Sequence, residues 1–112
     1  MNPQKKLVNA TCPECRGPLS EQRPPGGPTE LVCLVGHRYS ARALLEAHSE
    51  TQEKALWSAV VALEETSNMA RAVSADLAPG IADRLQEQVA QRLREAGIIR
   101  EILQRLEPFR LD

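Results

Sequence analysis

Three cysteines and one histidine fall in two close pairs, Cys12-Pro13-Glu14-Cys15 and Cys33-Leu34-Val35-Gly36-His37, with seventeen residues between them. No other feature limits the fold as tightly. Two residues between cysteines let one tight turn aim both sulfurs at a single point, and amides of that turn can donate to the thiolates. Three thiolates and one imidazole fill the tetrahedral shell that Zn²⁺ prefers at a structural site. Cys12, Cys15, Cys33 and His37 are therefore expected to hold one structural Zn²⁺. Zinc is favoured over iron for three sulfurs and one nitrogen. Gly17 and Gly36 are expected to supply positive φ at the two turns, and Arg16 and Arg38 to balance the net negative charge of the cluster.

Other uses of these residues are weaker. A disulfide framework wants an even cysteine count and an oxidising compartment. A redox C-x-x-C wants a thioredoxin-like βαβ context, which the sequence does not offer. Catalytic zinc keeps a position open for water; that would follow only if His37 were not a ligand, with Glu14 as the nearest base. His48 reads as a surface or ribbon-packing residue rather than a fifth ligand.

Composition shifts near residue 40. Residues 1–40 hold six of the eight prolines, four of the six glycines and all three cysteines. Leu19-Ser20-Glu21-Gln22 and Thr29-Glu30-Leu31-Val32 can pair as a hairpin around Pro24-Pro25-Gly26-Gly27-Pro28, a loop of breakers. Tyr39-Ser40 can add a short third strand. Residues 12–40 thus read as a zinc ribbon after a flexible N-terminus over 1–11. Such a segment buries too little apolar area to fold without metal.

Beyond residue 40 the pattern is helical. Ser40 is the N-cap of a first helix over 41–78, and Ser49-Glu50-Thr51-Gln52 has the form of a capping box that predicts a break or kink near His48. Leu56, Val60, Leu63, Ala70, Val73 and Leu77 recur at helical spacing. Pro79-Gly80 stops this run. Leu85, Val89, Leu93, Ala96, Ile99, Leu103 and Leu106 define a second helix over 81–107, leaving 108–112 as a tail. The fold class is small α+β: a zinc ribbon followed by a long antiparallel helical hairpin. At about 1.5 Å per residue the helices span roughly 57 and 40 Å. The first then overhangs the second over about 41–51 on that rise, with Leu44 and Leu45 packed on the ribbon. Counting from the corner places Trp57 near Ile102 and Leu103, and Leu63 near Ala96.

The run from Ala55 to Leu63 is apolar around more of the helix than one partner covers. Trp57, Val61, Ile98 and Ile102 cannot all face one seam. A second copy forming a four-helix bundle, or a helical partner protein, is expected to cover the remainder. Fourteen basic and fifteen acidic residues give a net charge of −1, so no bulk field favours DNA, RNA or an anionic membrane. The basic residues Lys5, Lys6, Arg16, Arg23, Arg38 and Arg42 leave nucleic-acid binding as an alternative, with only Tyr39 to stack a base. The apolar run is less than half a membrane span. Met1 to Val8 lacks the apolar stretch of a secretory signal, so a cytoplasmic location is expected.

The strings Cys12-Pro13-Glu14-Cys15-Arg16-Gly17-Pro18-Leu19, Cys33-Leu34-Val35-Gly36-His37-Arg38-Tyr39-Ser40, Leu44-Leu45-Glu46-Ala47 and Ala55-Leu56-Trp57-Ser58-Ala59-Val60-Val61-Ala62-Leu63-Glu64-Glu65 carry a resemblance. Together they resemble the C-terminal tail of certain bacterial chemotaxis protein-glutamate methylesterase homologues of the CheB type. The resemblance implies metal ligands at Cys12, Cys15, Cys33 and His37 and a helical signature at Leu44, Leu45, Leu56 and Trp57. The family's hydrolase is a separate domain with a Ser-His-Asp site that has no counterpart here, so no catalytic residue transfers. Leu31-Val32 stands where many such tails have an aromatic residue and arginine, and Arg16 intervenes before Gly17 where a glycine often follows the second cysteine. The expected function is a non-enzymatic, zinc-stabilised protein–protein interaction module, an accessory in chemotaxis-like signalling. The alternative is a zinc-ribbon nucleic-acid-binding or transcription-related accessory protein. No Ser-centred elbow and no Gly-rich phosphate loop argues for an enzyme.

Overall fold

Breaker residues cut the N-terminal third into short strands, and their absence from residue 41 to Leu77 permits one long helix. The computed structural model describes residues 6–111. It contains β1 (Lys6–Thr11), β2 (Pro18–Gln22), β3 (Glu30–Cys33), β4 (Arg38–Ser40), α1 (Ala41–Val73), a 3-10 turn (Ser74–Asp76) and α2 (Pro79–Arg105). The class is small α+β. The strands form one antiparallel meander in the order β1-β2-β3-β4. The expected hairpin is the β2–β3 pair, with Leu19 opposite Cys33 and Glu21 opposite Leu31. Tyr39 extends the sheet opposite Leu31. Gly26 takes the left-handed φ of 71° that the intervening loop requires.

The chain divides into two compact units, one reaching Thr51 and including the segment from Pro108, the other Gln52–Glu107. The first unit has its core on one face of the sheet. Cys12, Leu19, Cys33 and Leu44 are buried together, with Val8, Ala10, Leu31 and Tyr39 packed around them. Side chains two apart on a strand share a face, which is why Leu31 and Cys33 join this core from β3. Leu44 reaches it from the first turn of α1. Ser40 caps that turn, its Oγ accepting from the Ala43 amide at 3.1 Å. A side-chain cap of this kind satisfies one of the four amides that a helix start leaves without a partner.

The structure departs from several of these expectations. The flexible N-terminus assigned to 1–11 is a strand from Lys6 onward; residues 1–5 lie outside the described range. Val8 and Ala10 alternate toward the core, and β2 supplies the pairing edge, with a register shift between Val8 and Thr11. That alternation rests on two small side chains, too faint a pattern to separate from a polar tail. No break occurs near His48: α1 runs continuously to Val73. Thr51 instead turns its hydroxyl back to the Ala47 carbonyl at 3.0 Å, a bond made inside a helix rather than at its start. The first helix ends at Val73, not 78, and closes through the 3-10 turn. The second begins at Pro79, not 81, because proline at the first helical position lacks only an amide that has no partner there anyway. It ends at Arg105 rather than 107. Leu45 is 40% exposed, whereas Leu44 is 7% exposed; adjacent helical positions point about 100° apart, and one of them reaches the sheet.

In the second unit α1 and α2 run antiparallel past a thin seam. Val60, Ala70, Val89 and Ala96 are its buried residues. Glu64 accepts a hydrogen bond from Arg100, whose guanidinium lies 5.6 Å from the centre of the Trp57 ring. Trp57 shares a shallow recess with Leu103, as the count from the corner predicts. Arg92 and Glu95 pair at 3.1 Å on an exposed face, where such pairs contribute little.

The contrast between neighbours gives a direct test of which helix face the sheet holds. Leu44→Ala is expected to cost about 2–4 kcal/mol of stability and Leu45→Ala under about 1 kcal/mol, by chemical denaturation of the metal-loaded protein. Equal costs would contradict the packing.

Candidate metal centre

Two backbone turns build the site. In the first, the Arg16 amide donates to the Cys12 carbonyl and the Cys12 amide to the Gly17 carbonyl, each at 2.8 Å. In the second, the Cys33 amide donates to the His37 carbonyl and the Gly36 amide to the Cys33 carbonyl, each at 3.1 Å. Each turn reverses the chain within a few residues and needs left-handed backbone to do so. Gly36 supplies it in the second turn with φ of 109°. In the first, Arg16 adopts φ of 65°, and the positive φ expected of Gly17 is not there. The position directly after the second cysteine is thus the one that favours glycine, and arginine occupies it at a cost of roughly 1–2 kcal/mol.

These turns bring together the side chains the sequence singled out. One donor atom from each of Cys12, Cys15, Cys33 and His37 lies within 4.8 Å of every other. His37 Nδ1 stands 3.5 Å from Cys12 Sγ and 3.3 Å from Cys33 Sγ. Sulfur and nitrogen ligands of one tetrahedral zinc stand about 3.5–3.8 Å apart; the two His37 contacts are close to that spacing, and the remaining donors lie within 4.8 Å of one another. The cluster is capable of chelating a metal. His48 is not among its members. It lines an open recess with Val8, Ala10, Thr11 and Arg16, and its Nε2 is shielded and without a hydrogen-bond partner.

The surroundings prepare the sulfurs unequally. Burial of Cys12 opposes ionisation, but hydrogen bonds from the Tyr39 hydroxyl and the Cys15 and Glu14 amides outweigh it and lower the thiol to about 6. Cys33 is also lowered: burial again opposes, and the His37, Gly36 and Val35 amides and the Cys15 thiol prevail. The His37 amide donates to Cys33 Sγ at 3.3 Å. Cys15 is raised, because the helpful Gly17 amide is outweighed by burial and by the sulfurs of Cys33 and Cys12. His37 is raised by Cys12 first, against burial, with Cys33 and Glu14 assisting. Tyr39 is raised by its bond to Cys12 and by burial.

Two of these partners were not legible as such in sequence. Tyr39 Oη lies 3.5 Å from Cys12 Sγ; the signal was its place two residues after His37, on the same face of an extended segment. Glu14 Oε2 lies 3.0 Å from His37 Nε2, so the residue considered as a base only if His37 were free is bound to His37 instead. Arg38, expected to balance the cluster, pairs with Glu30 at 2.7 Å across the β3–β4 ladder.

A lowered thiol contributes stability that is complete above its ordinary value of 9.0 and lost as pH falls through about 6. His37 works oppositely: raised from 6.5, its contribution is complete below that value and lost as pH rises through the raised one. Ligands hold an ion only when deprotonated, so acidifying the metal-loaded chain is expected to release the ion and with it the amide-exchange protection of β2 and β3, after correction for intrinsic exchange rates. Protection kept in strong acid would contradict thiolate ligation. No protein-family model, no curated protein and no solved structure matches this chain.

Proposed function

We propose that this chain is a non-enzymatic protein–protein interaction module in which one structural Zn²⁺, held by Cys12, Cys15, Cys33 and His37, stabilises the sheet that anchors the start of a helical hairpin. The observation that carries the reading is the convergence of four protein donors within 4.8 Å. Four such donors complete a tetrahedral shell and leave no position for a reacting water. Bound zinc would supply charge neutralisation and cross-linking. The chain's own residues do the rest: Tyr39 and the turn amides stabilise thiolates, and Leu44 joins the packed sheet to α1. Structural zinc contributes on the order of 10–16 kcal/mol of apparent binding in zinc-finger peptides at neutral pH, enough to fold a segment of this kind.

The interaction surface is the helical unit. Trp57 is 43% exposed, Val61 50%, Ile98 56% and Ile102 46%. Side chains of this size on a unit with four buried residues in its seam favour cover by a second copy of the chain or by a helical partner. Among the described residues no helix is long and apolar enough to cross a membrane, and the apolar face is assigned to protein. Nucleic-acid binding is the less favoured reading. Arg38 and Arg42 are paired with Glu30 and Glu46, which offsets part of the positive charge that phosphate would need. The accessory role in bacterial chemotaxis-like signalling rests on the resemblance of the ligand pairs and helical strings.

Purified protein is expected to contain one equivalent of zinc by elemental analysis. Chelation should abolish the amide protection of β2 and β3 while circular dichroism retains most of the helical signal. Metal-free protein with an ordered sheet would sink the structural-zinc reading. Light scattering on the metal-loaded protein is expected to give a dimer mass that Val61→Glu shifts toward monomer. A concentration-independent monomer that binds no helical partner would remove the interaction reading.

A further inference from the structure

The imidazole of His37 offers one nitrogen inward and one outward. Nδ1 lies 3.5 and 3.3 Å from Cys12 and Cys33 Sγ, and Nε2 lies 3.0 Å from Glu14 Oε2. An ionised carboxylate only accepts hydrogen bonds. At this contact the proton therefore sits on Nε2, and the lone pair of the neutral ring is left on Nδ1, facing the sulfurs. The same side chain fixes the ring plane, since rotation about its bond to Cβ would break the Glu14 contact.

From this geometry we infer that Glu14 is the positioning residue of the metal centre: it selects the tautomer and rotamer of His37 that ligate through Nδ1. The inference rests on the proposed zinc shell and adds to it the identity of the ligating atom and of the residue that sets it. Glu14 stands between Cys12 and Cys15, so the turn that supplies two sulfurs also orients the imidazole supplied by the other turn. The two halves of the site are thereby coupled through the imidazole as well as through the proposed ion. Outer partners of ligating histidines commonly affect metal affinity by 10–100-fold. The pair is partly exposed, at 35% for the His37 side chain and 59% for Glu14, so its worth as an ordinary surface ion pair is small. Its consequence is expected in metal binding rather than in fold stability.

The test uses the full chain loaded with zinc and labelled with ¹⁵N at histidine. Long-range proton–nitrogen spectra should show His37 Nδ1 metal-bound and Nε2 protonated, with slowed solvent exchange of that proton. In chelator competition, Glu14→Ala is expected to weaken zinc binding by roughly 10–100-fold and to speed that exchange. Glu14→Gln should stay within a few-fold of the parent, because its amide oxygen still accepts the Nε2 proton. Metal bound through Nε2 in the parent chain, or unchanged affinity in Glu14→Ala, overturns the inference and leaves the zinc shell standing. Loss of zinc from the parent, or zinc retained unchanged in His37→Ala, instead removes the four-ligand reading beneath it. The parent spectrum needs no variant, so a folding defect in Glu14→Ala does not shield the idea.

Discussion

Electrostatic crowding at the end of a small sheet is the constraint on which the N-terminal unit turns. Cys12 and Cys33 are core residues, packed with Leu19 and Leu44, and they also lie among the four clustered donors. Among thiols gathered this closely Cys15 is raised while it helps to lower Cys12 and Cys33, and desolvation opposes ionisation of all three. Backbone amides and the Tyr39 hydroxyl offset part of it, enough to ionise Cys12 near neutral pH. They do not offset it for Cys15. A cation at the centre, as proposed, would favour the thiolate form of all three cysteines and offset the mutual repulsion of their charges. In such a unit metal occupancy and core packing are one equilibrium rather than two, because the same side chains serve both.

The helical unit solves a different problem with different means. Two of its four buried seam residues are alanines, Ala70 and Ala96, which permit close approach of helix backbones but bury little area. Larger side chains flank the seam. Arg100 ties them together, bonded to Glu64 and lying over the Trp57 ring. A guanidinium so placed covers part of the indole face without drying it, and a cation–π contact at an exposed site is worth about 0.5–1 kcal/mol. The hairpin register is thus marked by a polar clamp, while Val61, Ile98 and Ile102 stay exposed and add little to holding the helices together.

What sequence could and could not reveal follows from this division. The pairs Cys12/Cys15 and Cys33/His37 were legible because their spacing is dictated by turn geometry, and the β2–β3 hairpin because breakers bound it. Ser40 was legible as a cap from its hydroxyl at the start of an apolar periodic run. β1 was not, since Val8 and Ala10 give little apolar contrast and its pairing is supplied by β2. The false kink at Ser49 arose because a capping box is a local pattern, and helix continuation through Thr51 competes with it successfully. Pro79 was read as a stop when it is a start; proline ends one helix and opens another equally well, and only the neighbouring geometry decides. Arg16 in left-handed backbone went unforeseen because glycine stood beside it and was the cheaper candidate.

The Glu14–His37 contact extends the same logic from fold to site. A histidine contributed by a separate turn can ligate through either ring nitrogen, and its side chain retains rotational freedom until something holds it. In larger proteins a packed core holds such a ring; here the His37 side chain is 35% exposed and has little core around it. A residue from the opposite turn must therefore do the holding. Position 14 is the natural place, because a side chain between two converging cysteines sits within reach of whatever shares their centre. Its carboxylate both orients the ring and adds negative charge beside the cluster, where it helps raise His37. In the metal-free state that charge favours a protonated imidazole, which must lose one proton before it can ligate. Glu14 thus orients the imidazole and also adds, after Cys12 and Cys33, to its resistance to deprotonation, so one group works both for and against metal uptake.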